Sequence, residues 1–80
     1  MASKPFNGHP SWNAWNVALW IGNDEGLYRF ALECLGRNNE RKIPAAEEFL
    51  ATMREAGSLK TPDGAPWTVT NIARAMCGLR

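Results

Sequence analysis

The sequence has few of the histidines and cysteines on which many catalytic and metal sites depend. It contains one histidine, His9, and two cysteines, and it has no Cys-x-x-Cys or His-x-x-x-His spacing. It also lacks a Gly-rich phosphate loop. The acidic pair Asp24 and Glu25 is explained by the dipole at a helix N-terminus rather than by acid–base chemistry. We therefore expect no metal, no cofactor and no enzymatic activity.

Strong net charge and long apolar runs are also missing. A protein that imitates DNA should be strongly acidic, and one held to phosphates by charge alone should be strongly basic, whereas the net charge here is +1. No apolar run reaches the roughly 18 residues of a membrane span, and the first residues lack the apolar stretch of a signal peptide. We expect a cytoplasmic protein whose Cys34 and Cys77 are reduced and buried.

What the sequence does have is a concentration of tryptophan. Trp12, Trp15 and Trp20 fall within nine residues. Each indole can bury on the order of 200 Å², which is a large area for an 80-residue chain to cover. Either this helix is surrounded by the other helices, or part of its surface is free to bind a partner.

Apolar periodicity and helix-breaking residues predict a compact all-α domain that spans residues 1–80 and contains about four short helices. Residues 1–10 are expected to form an irregular arm because they contain Pro5, Asn7-Gly8 and Pro10. The predicted helices run from Ser11 to about Ile21, from Asn23 or Asp24 to Gly36, from about Pro44 to Gly57, and over about 70–79 after a cap at Thr68 or Thr70.

The spacing divides the first helix into two apolar faces and a polar side. One apolar face contains Trp12, Trp15 and Leu19, and the adjoining one contains Val17, Trp20 and Ile21. Asn13 and Asn16 form the polar side. One interpretation assigns all three tryptophans to the core of a very small domain. The other assigns some of them to a binding surface, because tryptophan, tyrosine and arginine are enriched in binding hot spots. Both hold if Trp12 and Trp15 are buried while Trp20 reaches the surface.

The segment Thr61-Pro62-Asp63-Gly64-Ala65-Pro66-Trp67-Thr68-Val69-Thr70-Asn71-Ile72-Ala73-Arg74-Ala75-Met76 resembles the end of the helix-turn-helix of large serine recombinases. The resemblance implies that four polar side chains of the last helix face a DNA groove or phosphates: Thr68, Thr70, Asn71 and Arg74. Convergent turn chemistry is the alternative. In that case Pro62-Asp63-Gly64 makes a turn, Trp67 fills the core and a threonine caps the helix.

A second resemblance covers more of the chain. The run Ser11-Trp12-Asn13-Ala14-Trp15-Asn16-Val17-Ala18-Leu19-Trp20-Ile21, followed by Asn23-Asp24-Glu25-Gly26-Leu27-Tyr28 and later by Lys60-Thr61-Pro62-Asp63-Gly64, resembles a family of small phage and prophage proteins without an assigned activity. The resemblance implies a mobile element, a bacterial host and an accessory protein. Proteins of this kind often disable a host defence by binding it, and anti-CRISPR proteins are the best-known class.

These considerations lead to the hypothesis of a non-catalytic, phage-type inhibitor that binds a host protein or ribonucleoprotein complex, with a CRISPR effector as the specific expectation. The residues predicted to bind the partner are Trp20, Tyr28, Arg29, Arg37, Arg41 and Lys42. A small DNA-binding regulator that uses the last helix is the alternative, and it would act as a dimer. A virion or assembly accessory protein remains a third interpretation.

Overall fold

The computed structural model describes residues 11–79, and their fold is all-α, as predicted. Four helices follow one another along the chain: α1 (Trp12–Asn23), α2 (Glu25–Arg37), α3 (Lys42–Glu55) and α4 (Val69–Cys77). In this part of the chain the only β pairing is one isolated antiparallel bridge between Lys60 and Pro66. The predicted N-terminal arm over residues 1–10 lies outside the described residues.

Side-chain caps explain where three of the helices begin. Ser11, Asp24 and Thr68 each accept a hydrogen bond from the backbone amide three residues further along, at 3.0–3.1 Å. Each such bond satisfies one of the amides that a helix N-terminus leaves without a partner. Asp24 also ends α1, since its own amide donates to the Trp20 carbonyl at 2.9 Å. One residue therefore ends α1 and caps α2.

The helices pack in a closed ring, in which each helix contacts its neighbours along the chain and α4 returns to contact α1. Phe49 of α3 is fully buried near the centre. Its ring centroid lies 5.0 Å from that of Phe30 and 5.7 Å from that of Trp67. Trp67 is only 4% exposed and its indole N–H donates to Ser58, so its predicted role of filling the core is confirmed.

A short hairpin joins α3 to α4 and carries the predicted turn. The Gly64 amide donates to the Thr61 carbonyl at 2.8 Å, and the Thr61 amide donates to the Ala65 carbonyl at 2.7 Å. Gly64 has a φ of 98°, a backbone conformation that side chains with a Cβ rarely adopt. The turn brings Thr61 and Asp63 against α1, where they take part in the hydrogen-bond network described below.

The two cysteines have different environments. Cys34 is buried as predicted, and burial raises the pKa of its thiol to about 11. The prediction that Cys77 is buried is wrong, because Cys77 is exposed at the end of α4. It lies one turn beyond Arg74 on the outer side of the helix, whereas Ile72 and Met76 supply the buried side.

Over residues 11–79, none of the helices combines the length and the apolar character that crossing a membrane requires. The same residues bring together no group of three or more His, Cys, Asp or Glu side chains that could hold a metal ion.

Candidate interaction surface on the first helix

The side of α1 that faces the bundle is built from small and aliphatic residues. Ala14, Val17 and Ile21 are 1%, 0% and 0% exposed, and we call these three residues the inner face. Their i, i+3, i+7 spacing places them along one side of the helix. Small side chains here allow α1 to approach its neighbours α2 and α4 closely.

The opposite side of α1 carries larger side chains with the same spacing. We call Trp12, Trp15 and Leu19 the outer face. A rotation of about 100° per residue sets these positions on the far side of the helix from the inner face. Trp12 is 40% exposed, and Trp15 and Leu19 are half-buried. Of the interpretations left open by the sequence, those that bury Trp12 are wrong, and Trp15 is buried only in part. Two apolar stripes of α1 share one period, and spacing alone does not show which of them faces the core.

A hydrogen-bond network on the flank of α1 involves residues that the sequence analysis missed. Asn16 is 1% exposed, although the spacing placed it on the polar side of the helix. The Thr61 hydroxyl donates to Asn16 Oδ1 at 2.6 Å, and Asn16 Nδ2 donates to Asp63 Oδ2 at 2.9 Å. The hairpin covers Asn16, which is why a polar side chain is buried there. The sequence carried no signal that separates Asn16 from the exposed Asn13, since both are asparagines of the same helix.

Trp20 belongs to the same network. Its indole N–H donates to Asp63 Oδ2 at 2.9 Å, and its ring packs against the buried core. The hydrogen bonds from Asn16 and Trp20 lower the pKa of the Asp63 carboxyl below its usual 3.8, so Asp63 is ionised at neutral pH. Trp20 is half-buried. Its side chain is therefore only partly accessible, because it packs against the core and donates its N–H to Asp63.

A pocket of about 260 Å³ opens next to Trp20, where α1 meets α2. It is lined by Leu19, Trp20, Asn23 and Asp24. Leu19 belongs to the outer face, so the pocket is continuous with that face. Asp24 is held in place because its Oδ1 accepts from the Leu27 amide. The pocket thus combines an aromatic ring, an aliphatic side chain, an amide and a carboxylate.

The predicted residues of α2 lie beyond this junction. Tyr28 is 37% exposed and lies one turn into α2. The Arg29 guanidinium is 2.8 Å from the Glu25 carboxylate, in a pair whose side chains are 71% and 77% exposed. Such an exposed i,i+4 pair contributes little to stability. Tyr28 and Arg29 are therefore accessible to a partner.

The other three predicted residues lie near the opposite end of α2. Arg37 pairs with Glu48 of α3, and Asn38 donates to the same carboxylate at 2.9 Å. These bonds lower the pKa of Glu48 and raise that of Arg37. Arg41 is exposed at the start of α3, and Lys42 is half-buried. Since α2 is roughly 20 Å long, this group is distant from Trp20.

The residues of the DNA-binding alternative lie on α4. Thr70 and Arg74 are exposed and one turn apart, whereas Asn71 is half-buried. The Thr68 hydroxyl is used to cap the helix. The connection from α3 to α4 runs from residue 56 to residue 68, which is much longer than the turn of about three or four residues in a helix-turn-helix. Of the four predicted side chains, Thr70 and Arg74 are exposed, and Thr68 and Asn71 are half-buried.

One comparison with known proteins gives a match. The model of a family of unknown function, DUF7249, matches residues 2–77. Comparisons with curated proteins and with solved structures give no match. Because the match covers nearly the whole chain, the chain belongs to the DUF7249 family.

Proposed function

We propose that this DUF7249 member acts by binding another protein through the outer face of α1 and the adjoining pocket. The more specific proposal is a phage-type inhibitor that binds a host defence complex, with a CRISPR effector as the first candidate. The general proposal derives from the geometry of α1. The specific one derives from the resemblance of residues 11–28 and 60–64 to small phage and prophage proteins.

The single observation that carries the proposal is the position of the indoles. Trp12 and Trp15 lie on the side of α1 opposite to the inner face, and Trp12 is 40% exposed. Trp15 lies on the same side of the helix and is half-buried. Two large aromatic side chains on one outward side match the composition of binding hot spots, in which tryptophan is strongly enriched.

The mechanism that fits this surface is steric obstruction. The α1 helix is fixed by the inner face, by the Asp24 junction and by the hydrogen bonds of Asp63, so its outer face is preorganised. A preorganised surface loses less conformational freedom on binding than a flexible one. With a net charge of +1, the protein is a poor electrostatic imitation of DNA. Shape and aromatic contacts would instead provide the affinity.

The test uses the full chain with an affinity tag, expressed in a bacterium that carries an active CRISPR system. Two measurements are made on the same strain: how efficiently a targeted phage forms plaques, and whether subunits of the CRISPR effector copurify with the tagged chain. We expect restored plaques and copurification. The double variant Trp12→Ala/Trp15→Ala should abolish both, because truncating a hot-spot side chain costs about 2 kcal/mol or more of binding free energy.

Leu59→Ala is the matched control, since Leu59 is a large apolar side chain that is 62% exposed and lies outside α1. It should leave plaque formation and copurification unchanged. Wild-type protein that neither restores plaques nor copurifies an effector subunit would contradict the specific proposal. Binding of duplex DNA that weakens with salt and depends on Arg74 would indicate a DNA-binding regulator instead.

A further inference from the structure

We propose that the pocket beside Trp20 binds an arginine side chain of the partner protein. This inference deepens the proposed function and rests on it, because it gives the chemistry of one contact in that interface. It is argued from the composition, the size and the charge of the pocket.

The composition of the pocket suits a flat cation with a long aliphatic stem. Trp20 supplies an indole, which is the aromatic ring that attracts cations most strongly. Leu19 supplies an apolar surface for methylene groups. Asn23 and Asp24 supply an amide and a carboxylate that can accept N–H hydrogen bonds. An arginine side chain presents all the complementary groups.

The size of the pocket favours a single side chain over a larger ligand. Its volume of about 260 Å³ is below the roughly 300–1,000 Å³ of pockets that enclose small-molecule ligands. The pocket is also continuous with the outer face through Leu19. A partner that covers Trp12 and Trp15 would thus be placed to insert one side chain next to Trp20.

The charge around Trp20 is negative. Asp24 lines the pocket, and Asp63 accepts the indole N–H at 2.9 Å. The ion pairs among residues 11–79 involve Arg29 and Arg37, and neither Asp24 nor Asp63 takes part in one. Donation of the N–H to a carboxylate also pushes electron density into the indole ring, which strengthens its attraction for a cation. The missing positive charge would come from the partner.

Arginine fits these groups better than lysine. The guanidinium is planar and weakly hydrated, so it can stack on an indole while its edge donates several hydrogen bonds to Asp24 and Asn23. An ammonium is strongly hydrated and concentrates its charge at one point. A neutral side chain of the same shape would lack the cation–π attraction to the indole, and its hydrogen bonds to Asp24 would not be strengthened by a positive charge.

The test follows ¹⁵N-labelled full-length protein by NMR during titration with a capped Gly-Arg-Gly peptide. We expect a saturable shift of the Trp20 indole N–H and of the Asn23 and Asp24 amides. A matched peptide with citrulline, which has the shape of arginine without its charge, should bind about tenfold more weakly. The matched lysine peptide should fall between the two.

Two variants locate the contact. Asp24→Asn removes the charge but keeps a side chain that caps helices equally well, so α2 should stay intact while binding weakens by roughly threefold to tenfold. Leu59→Ala changes an exposed apolar side chain outside α1 and should leave peptide binding unchanged. A wild-type spectrum without a saturable Trp20 shift, or equal binding of the citrulline peptide, would overturn the inference.

The outcome can be separated from that of the proposed function. If the outer face captures an effector subunit but the arginine peptide leaves Trp20 unaffected, the pocket assignment is refuted while the proposed function stands. If the peptide binds with the expected selectivity but no effector is captured and no plaques are restored, the cation site stands and the inhibitor proposal is refuted.

Discussion

The two apolar faces of α1 have the same spacing but different sizes. The inner face is made of alanine, valine and isoleucine and is almost completely shielded from water. The outer face is made of two tryptophans and a leucine, and Trp12 is 40% exposed. A helix that puts its smallest apolar side chains inside and its largest outside is not optimised for burial alone. The difference assigns stability to the inner side of the helix and leaves the outer side as the surface on which the proposed binding depends.

Trp67 shows that this protein can bury an indole where the fold needs one. It is 4% exposed, it contacts Phe49 with ring centroids 5.7 Å apart, and its N–H donates to Ser58. The contrast with Trp12 is therefore not caused by a core too small for any tryptophan. It reflects position, because Trp67 enters from the hairpin between α3 and α4, whereas Trp12 lies on the side of α1 that faces away from its helical neighbours.

The largest expected effect comes from shortening a side chain of the inner face. Ile21→Ala removes buried methyl groups and leaves a cavity, so it should lower the free energy of unfolding by about 2–5 kcal/mol. For a domain of this size that loss approaches the whole stability, which is roughly 3–5 kcal/mol. Urea denaturation followed by far-UV circular dichroism measures it, and Ile21→Val, at about 1 kcal/mol, provides a milder variant.

Trp12→Ala is the control on the outer face. It should change the free energy of unfolding by less than Ile21→Ala does, because Trp12 is far more exposed than Ile21. An equal or greater loss in Trp12→Ala would show that the outer face supports the fold, and the separation between the two faces would then fail.

The second prediction concerns the flank between the two faces. Asn16→Ala removes the partner of the Thr61 hydroxyl and one donor to Asp63. A buried polar group without a partner costs about 1–3 kcal/mol, so the free energy of unfolding should fall by that amount. Asn13→Ala is the matched control, since Asn13 is exposed on the same helix and should have little effect. Equal effects would contradict the role assigned to the network.

The third prediction uses two glycines with opposite constraints. Gly22 lies within α1, and a Cβ added there would meet no atom within 4 Å. Gly22→Ala should therefore stabilise the protein by about 0.5–1 kcal/mol. Gly64 has a φ of 98° in the turn that holds Asp63, so Gly64→Ala should destabilise it by about 1 kcal/mol or more. Thermal melting measures the change in melting temperature of each variant relative to the wild type. Changes of the same sign in the two variants would contradict the prediction.

The sequence predicted the number and the order of the helices because caps and breakers act locally. Asp24, Gly57 and the Thr61–Gly64 turn mark boundaries that depend on the backbone of a few neighbouring residues. The side of α1 that faces the bundle could not be predicted from such local signals. Both stripes have helical spacing, and only the positions of α2 and α4 decide between them.

The candidate site was less accessible to sequence analysis for a related reason. The hydrogen bonds of Asn16 and Trp20 to Asp63 join residues 47 and 43 positions apart, and no local pattern reports such a pairing. The partner-binding role predicted for Trp20 stays a prediction. Its pocket, however, exists only because α1 and α2 meet at Asp24.

The smallest expected effect is a pH dependence that originates at Asp63. Hydrogen bonds from Asn16 and Trp20 lower the pKa of this carboxyl in the folded state below its usual 3.8, whereas unfolding restores the usual value. The ionised form thus contributes stability at pH values above about 4, and this contribution is lost as the pH falls through the lower, folded-state pKa. The effect is small because the carboxylate is exposed to water.

Asp63→Asn separates this contribution from that of other carboxylates. Glu48, whose pKa is also lowered, titrates in both proteins and cancels in the comparison. The wild type should be more stable than Asp63→Asn at pH 7, and the difference should shrink as the pH is lowered below 4 in a series of urea denaturations. A difference that is constant with pH would mean that the Asp63 charge does not stabilise the flank of α1, and the position of Trp20 would then depend on packing alone.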